Sequence, residues 1–511
     1  MRNQLKAGAI LTYVSLVVGN VIALLYTPFM LRTLGQEEYG LYSLANSVVG
    51  YLTVLDFGFG SATIRYTAKY KAENNLEKAK EMYGMFFILY LGIGLLTFCL
   101  GVFLAFRANI FFAKGLTESE IVTVKKLLIL AALNLAVSFP FGIFTSIITA
   151  YEKFIFLKVS SLVRLIINPL FLIPTLMFGY KSTGLIVVTT LLNIVFFVVN
   201  LFYCIKKLHI RFVIKKFDLS LLKEIVSYSF WIFVGSIVNQ LWWNAGQFLL
   251  GMYASSISIA IYSVSMQFKT YFESFATAIS GVCLPRMTTM VSNKADNNAF
   301  TEYFIKVGRL QYIIIALITT GFILFGRQFI SVWAGAEYRN SYFVTLLIFI
   351  PLSLIDTQTL GITILQAKNK HKFRSLLYLG VAILCIAISI PFIKVYAEIG
   401  CAIATASALF IGNLIIMNWY YSKKIGLNIK RYWFELLKMT PGIVLVTIAG
   451  YFVLKIIPEL SRYKTLLPAM LVYCFFYILV LYFLSFNTYE KNLIKRVIYR
   501  FKGVRRESDL F

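Results

Sequence analysis

Residues 41–61 read LYSLANSVVGYLTVLDFGFGS, and residues 261–281 read IYSVSMQFKTYFESFATAISG. An offset of 220 lays Leu41-Tyr42-Ser43 on Ile261-Tyr262-Ser263. The same offset lays the small residues Gly58, Gly60 and Ser61 on Ala278, Ser280 and Gly281. Both stretches lie in segments that read as membrane spans. A hydrophobic chain built from two copies of one unit has the design of a transporter, because the seam between the halves can open to either side of the membrane.

The remainder of the 511 residues fits that design: 59% are hydrophobic and only 14% charged. Runs of about 20 apolar residues, enough to cross about 30 Å of hydrocarbon, recur from end to end. Aromatic residues reach 16%, in keeping with Tyr and Trp at membrane interfaces. The net charge of +27 does not mark a nucleic-acid binder, since the basic residues sit in short loops between spans. Cys99, Cys204, Cys283, Cys385, Cys401 and Cys474 show neither metal-ligand spacing nor a disulfide framework. His209 and His371 stand in basic loops, and no metal site is expected. The apolar run after Arg2 and Lys6 is too long for a signal-peptide core and reads as the first span.

The expected fold is all-α and polytopic, with about fourteen transmembrane helices. They divide into an N-terminal six-helix lobe (1–206), a C-terminal six-helix lobe (223–422), two additional helices (430–487) and a basic tail (488–511). Six spans per copy is an even number, so the halves form a parallel repeat about an axis along the membrane normal. Counting Lys and Arg on alternate sides gives about 35 inside and about 12 outside when the N-terminus is cytoplasmic. Both termini are therefore expected in the cytoplasm. Only Arg164 and Lys269 are left as basic residues within spans. No GxxxxGK[ST] occurs, so no ATP hydrolysis is expected of this chain.

The segment Leu31-Arg32-Thr33-Leu34-Gly35-Gln36-Glu37-Glu38-Tyr39-Gly40, followed by Leu55-Asp56-Phe57-Gly58-Phe59-Gly60 and Arg65, resembles the polysaccharide-transport (Wzx-like oligosaccharide flippase) family. That family lies within the MATE-like multidrug/oligosaccharidyl-lipid/polysaccharide exporter superfamily. The resemblance covers most of the chain and implies a non-enzymatic flippase in a bacterial cytoplasmic membrane. Its substrate would be an undecaprenyl-pyrophosphate-linked oligosaccharide for capsule, O-antigen or exopolysaccharide, moved by alternating access. The implied partners are that substrate, the membrane lipids, and a polysaccharide polymerase and glycosyltransferases, with no nucleic acid. No cofactor is expected. Net flow requires a proton or sodium gradient, or consumption of product outside, because a carrier alone only equilibrates. At Asn244-Ala245-Gly246-Gln247 the chain departs from relatives that carry an acidic residue there.

Ionisable groups inside spans are costly and usually face a partner or a watery cavity. Lys269 and Glu273, four apart, share a helical face. Lys269 is the expected docking point for the substrate phosphate, with Glu273 holding it charged; alternatively the pair only neutralises itself. The offset maps Asp56 to Ala276, one turn past Glu273, which would let it look at that pair across the seam. Arg164, some five residues into the fifth span, either snorkels to the inner interface or offers a second phosphate contact. Asp356, after Pro351, either binds a coupling ion or satisfies a broken turn. Ser236, Gln240, Asn244 and Gln247 form a polar stripe on span 7, beside Trp242 and Trp243. Amides and a tryptophan face suit sugars, and they equally suit interhelical packing.

Three other functions compete. A peptidoglycan-precursor flippase shares the fourteen-span layout. A drug/cation antiporter would normally lack the last two helices. A membrane glycosyltransferase or polymerase would need a long catalytic outer loop, which the chain does not have.

Overall fold

The computed structural model describes residues 2–213, 219–281, 283–368, 370, 372–456 and 462–493. Asn369, His371 and the tail beyond 493 lie outside the described residues. Among those described the chain is helical, without a strand. Ten helices are long and apolar enough to cross a membrane, or eleven with the bent pair Leu219–Ser227 and Ile232–Tyr253. Two of the ten exceed one crossing: Leu11–Ala72 has 62 residues and Phe373–Ile425 has 53. The first is broken at Gly35 and the second at Ala397. Each therefore supplies two spans, which brings the number to thirteen. Ser256–Gly281 is long enough to be the fourteenth, but its polar face keeps it out of the apolar set.

Contacts divide the chain into two compact units, Met1–Ser263 with Ala382–Ala404, and Val264–Val381 with Thr405–Phe511. The sequence placed a lobe boundary in the basic linker after residue 206. The contacts instead group the seventh span with the first unit, and the reason is close packing within that unit.

The first unit contains α1 (Arg2–Leu52), α2 (Phe59–Ala72), α3 (Leu76–Phe106), α4 (Ala108–Phe112), α5 (Glu118–Ala150), α6 (Phe154–Met177), α7 (Lys181–Lys207) and α8 (Leu219–Tyr253). Helix α3 lies along α5, α5 along α7, and α1 against α6 and α8. Phe59, Tyr66, Phe86, Tyr90 and Phe144 form much of its core. The motif around residues 31–40 turns and anchors the chain in this unit. Gly35 has φ 76 and ψ 171, a backbone closed to other residues, and turns the chain from one span into the next without a loop. Glu38 accepts hydrogen bonds from the hydroxyl and amide of Ser182, at the start of α7. At Gly40 a Cβ would stand 2.0 Å from the Ser256 carbonyl oxygen, so only glycine lets the two backbones meet. Gly40→Ala is expected to cost about 1–3 kcal/mol by overpacking, read as a lower melting temperature in detergent. An unchanged melting temperature would refute this account of Gly40.

In the second unit, α9 (Ser256–Gly281, from Val264 onward) and α10 (Leu284–Ser292) lead to α11 (Asn297–Trp333). Next come α12 (Ser341–Ile355), α13 (Thr359–Ala367) and α14 (Lys372–Leu409), of which residues 382–404 belong to the first unit. Two π-helical stretches, Phe410–Ile416 and Tyr421–Ile425, flank α15 (Met417–Tyr420). The last helices are α16 (Ile429–Leu437), α17 (Thr440–Ile456) and α18 (Tyr463–Leu484). Helix α11 is the mast of this unit, contacting α12, α16, α17 and α18. Buried Leu324, Phe325, Val446, Tyr473 and Tyr477 weld α17 and α18 onto it. The two additional helices are thus part of this unit's core.

The weld is also ionic. Arg309 Nε and Nη2 donate to the two carboxylate oxygens of Glu490 at 2.6 and 2.9 Å. Its remaining donors reach the carbonyls of Glu435 at 2.9 Å and Ser485 at 3.1 Å. Both partners of the pair are 3% exposed. Arg309 is a buried charge in α11 that the sequence reading did not single out.

Candidate functional site

The best-defined charged group lies in the second unit. Lys269 is the fourteenth of 26 residues in α9, so it sits at mid-helix. It is 6% exposed, and its Nζ lies 2.7 Å from Glu273 Oε2. The spacing of four puts both on one face, and Glu273 is the more open partner. Asp356 is near enough to interact electrostatically with both. The structure therefore gathers Lys269, Glu273 and Asp356, which are 87 residues apart at the extremes.

Asp356 occupies a break. Pro351 removes one backbone donor from α12, and the chain tightens into a 3-10 turn at Asp356–Gln358 before α13 resumes. Asp356 is buried, and its Oδ2 has no hydrogen-bond partner among the described residues. Around the break lies an amide network that sequence reading missed. Gln311, fully buried, donates to the Ala276 carbonyl at 2.9 Å and to Thr359 Oγ1 at 2.6 Å. Gln358 donates to Asn418 Oδ1 at 2.8 Å. The Tyr432 hydroxyl donates to Thr357 at 2.7 Å. The available signal was a lone glutamine in an apolar run, Tyr312-Ile313-Ile314-Ile315 following Gln311.

Asp56 belongs to the first unit, where Phe57 and Gly58 take left-handed φ of 51° and 75°. Its Oδ1 accepts from the Tyr90 hydroxyl at 2.8 Å, and the carboxylate also takes the amides of Gly58 and Gly60. Asp56 thus closes a helix break and starts α2.

Arg164 is the eleventh of 24 residues in α6, deeper than the sequence suggested because the helix begins at Phe154. Its guanidinium donates to Asn193 Oδ1, and Asn193 Nδ2 donates to Asn134 Oδ1 at 3.0 Å. These residues sit near the middle of α6, α7 and α5, forming a polar chain across the three helices. One turn on from Arg164, the buried Asn168 Oδ1 has no hydrogen-bond partner among the described residues.

The stripe on α8 is hydrogen-bonded inside its own unit. Gln240 Nε2 donates to Thr53 Oγ1 at 3.1 Å, Asn244 donates to Gln240, and Gln247 donates to Ser263 Oγ at 2.9 Å. Trp242 and Trp243 meet edge to face with centroids 6.0 Å apart. At Gly246 a Cβ would fall 2.7 Å from the Tyr262 hydroxyl, which leaves no room for an acidic side chain. In a background lacking the exposed Cys99, Gln240→Cys should react with a membrane-impermeant thiol reagent when the transport path opens. Full protection under every condition would leave the stripe as helix packing alone.

Comparison with known proteins follows the same lines. The model of a family described as polysaccharide biosynthesis protein matches residues 5–291, which include both motif segments. A putative O-antigen transporter of Shigella flexneri is 22% identical over 414 residues, 80% of this chain and 95% of that protein. Among solved structures, a lipid II flippase MurJ in an inward closed conformation gives a TM-score of 0.72 at 16% identity, over 97% of this chain and 99% of that one. An inward-facing multidrug resistance MATE family transporter of the MOP superfamily gives 0.63 at 13% identity, over 79% and 96%. These last two likenesses concern the fold.

Proposed function

The chain belongs to the polysaccharide biosynthesis protein family, and on that premise we propose that it is a flippase for undecaprenyl-pyrophosphate-linked oligosaccharide. It would carry this substrate across a bacterial cytoplasmic membrane by alternating access, for assembly of a surface polysaccharide. The observation that carries the reading is Lys269, a cation buried at mid-helix with a carboxylate partner that is only partly buried. An intramembrane ionisable group marks a substrate or ion path. A pyrophosphate headgroup needs a cation that can change partners, and Lys269 can leave Glu273 for a phosphate oxygen. The midplane guanidinium of Arg164 offers a planar, bidentate second contact. Asp356, buried with a free oxygen, is the candidate for the coupling proton or sodium ion.

The test is reconstitution of the full chain into liposomes carrying a fluorescent undecaprenyl-pyrophosphate oligosaccharide, with exposure in the outer leaflet followed by a membrane-impermeant glycosidase. Glycan should become accessible faster than in empty liposomes. An equal rate would sink the reading. The second reading, peptidoglycan-precursor flipping, draws on the fold likeness that runs through the two last helices. Lipid II in the same assay decides between them: faster passage of lipid II than of the oligosaccharide lipid would reverse the order.

A further inference from the structure

Away from these charged groups, the second unit holds a cavity of about 610 Å³ beside α10, α11, α16 and the segment after α18. The charge count of the sequence puts those connecting segments on the same, cytoplasmic side. The depth of the cavity follows from α11. Its 37 residues run about 55 Å at 1.5 Å each, whereas about 20 residues cross the hydrocarbon. Lys306 and Arg309, tenth and thirteenth in the helix, therefore stand at the level of the lipid headgroups.

Four basic and three acidic side chains line the cavity. The acids are all engaged: Glu302 pairs with Arg431, Glu490 with Arg309, and Glu435 with Arg309 and Lys438. Arg286 and Lys306 have no carboxylate partner among the described residues. Each instead lies over an aromatic ring, Arg286 at 4.6 Å from the Tyr303 centroid and Lys306 at 3.6 Å from that of Tyr489. Rings hold cations in place without neutralising them. The chain's own tail is a poor occupant, because Lys495, Arg496, Arg500, Lys502, Arg505 and Arg506 outnumber its acids.

We propose that this cavity is a phosphate-headgroup site, with Arg286 and Lys306 as its two free cations and an anionic phospholipid as the ligand. Basic pockets at the cytoplasmic interface between membrane helices bind such headgroups. The proposal is independent of what the protein transports.

Native mass spectrometry of the full chain, titrated with phosphatidylglycerol or phosphatidylcholine, tests it. Wild type should prefer phosphatidylglycerol, and Arg286→Gln with Lys306→Gln should weaken that lipid by roughly thirtyfold, the weight of two basic residues near a charged headgroup. Phosphatidylcholine binding should not move. The charge-preserving pair Arg286→Lys and Lys306→Arg should keep the preference; if it loses as much as the glutamine pair, charge is not the cause and the proposal falls. Equal phosphatidylglycerol binding in wild type and the glutamine pair overturns it as well. Inorganic phosphate that displaces phosphatidylglycerol at equal concentration assigns the site to soluble phosphate and overturns the lipid assignment.

Discussion

Replacing Lys269 with alanine is expected to cut translocation of the lipid-linked oligosaccharide by roughly two orders of magnitude, the usual cost of removing one partner of a buried charged contact. The protein should still reach the membrane at wild-type abundance, because the Glu273 left behind is not fully buried. Transport by Lys269→Ala at the wild-type rate would remove the docking role. The double variant Lys269→Ala with Glu273→Ala separates the two readings of the pair. If the ion pair only neutralises itself, removing both charges restores transport. If Lys269 meets phosphate, the double variant stays inactive. Lys269→Arg should retain part of the rate, since the charge survives with a different reach.

The largest loss of stability is expected at Glu490. Glu490→Ala takes the bidentate partner from the Arg309 guanidinium, which is 3% exposed and keeps only the Glu435 carboxylate at 3.6 Å, at a cost of about 3–5 kcal/mol. A drop in melting temperature in detergent checks this, and an unchanged value would show that water reaches Arg309. Replacing the pair by Arg309→Met and Glu490→Leu should recover most of the loss, because an apolar pair of similar volume often matches a buried ion pair. Loss of the weld should also loosen α17 and α18, which pack on α11 beside it.

The span pattern was legible because hydrocarbon thickness imposes a length and a composition that local sequence must meet. The family motif was legible too, and the structure gives it a physical content: a turn at Gly35, an anchor at Glu38 and a backbone contact at Gly40. The closeness of Lys269 and Glu273 followed from helical spacing alone. The company of Asp356 did not, since no periodicity links residues on α9 to a break after α12. Gln311 escaped notice because one amide in an apolar run leaves no pattern. Arg309 escaped because it stood at the edge of an assigned span and its partner lies 181 residues away, in a stretch that reads as tail. Arg164 lies five residues further into its helix than the span pattern placed it, because α6 begins at Phe154 and local hydropathy does not mark that start.

The hydrogen-bonded chain from Arg164 through Asn193 to Asn134 bears on how the protein is made. An arginine at the centre of a helix costs roughly 2.5–3.5 kcal/mol when that helix enters the bilayer from the translocon. Its acceptor comes with the next helix to be synthesised, and the final link lies in the one before. Insertion of α6 is therefore favoured when α5 and α7 partition with it, since they carry the amides that satisfy its arginine.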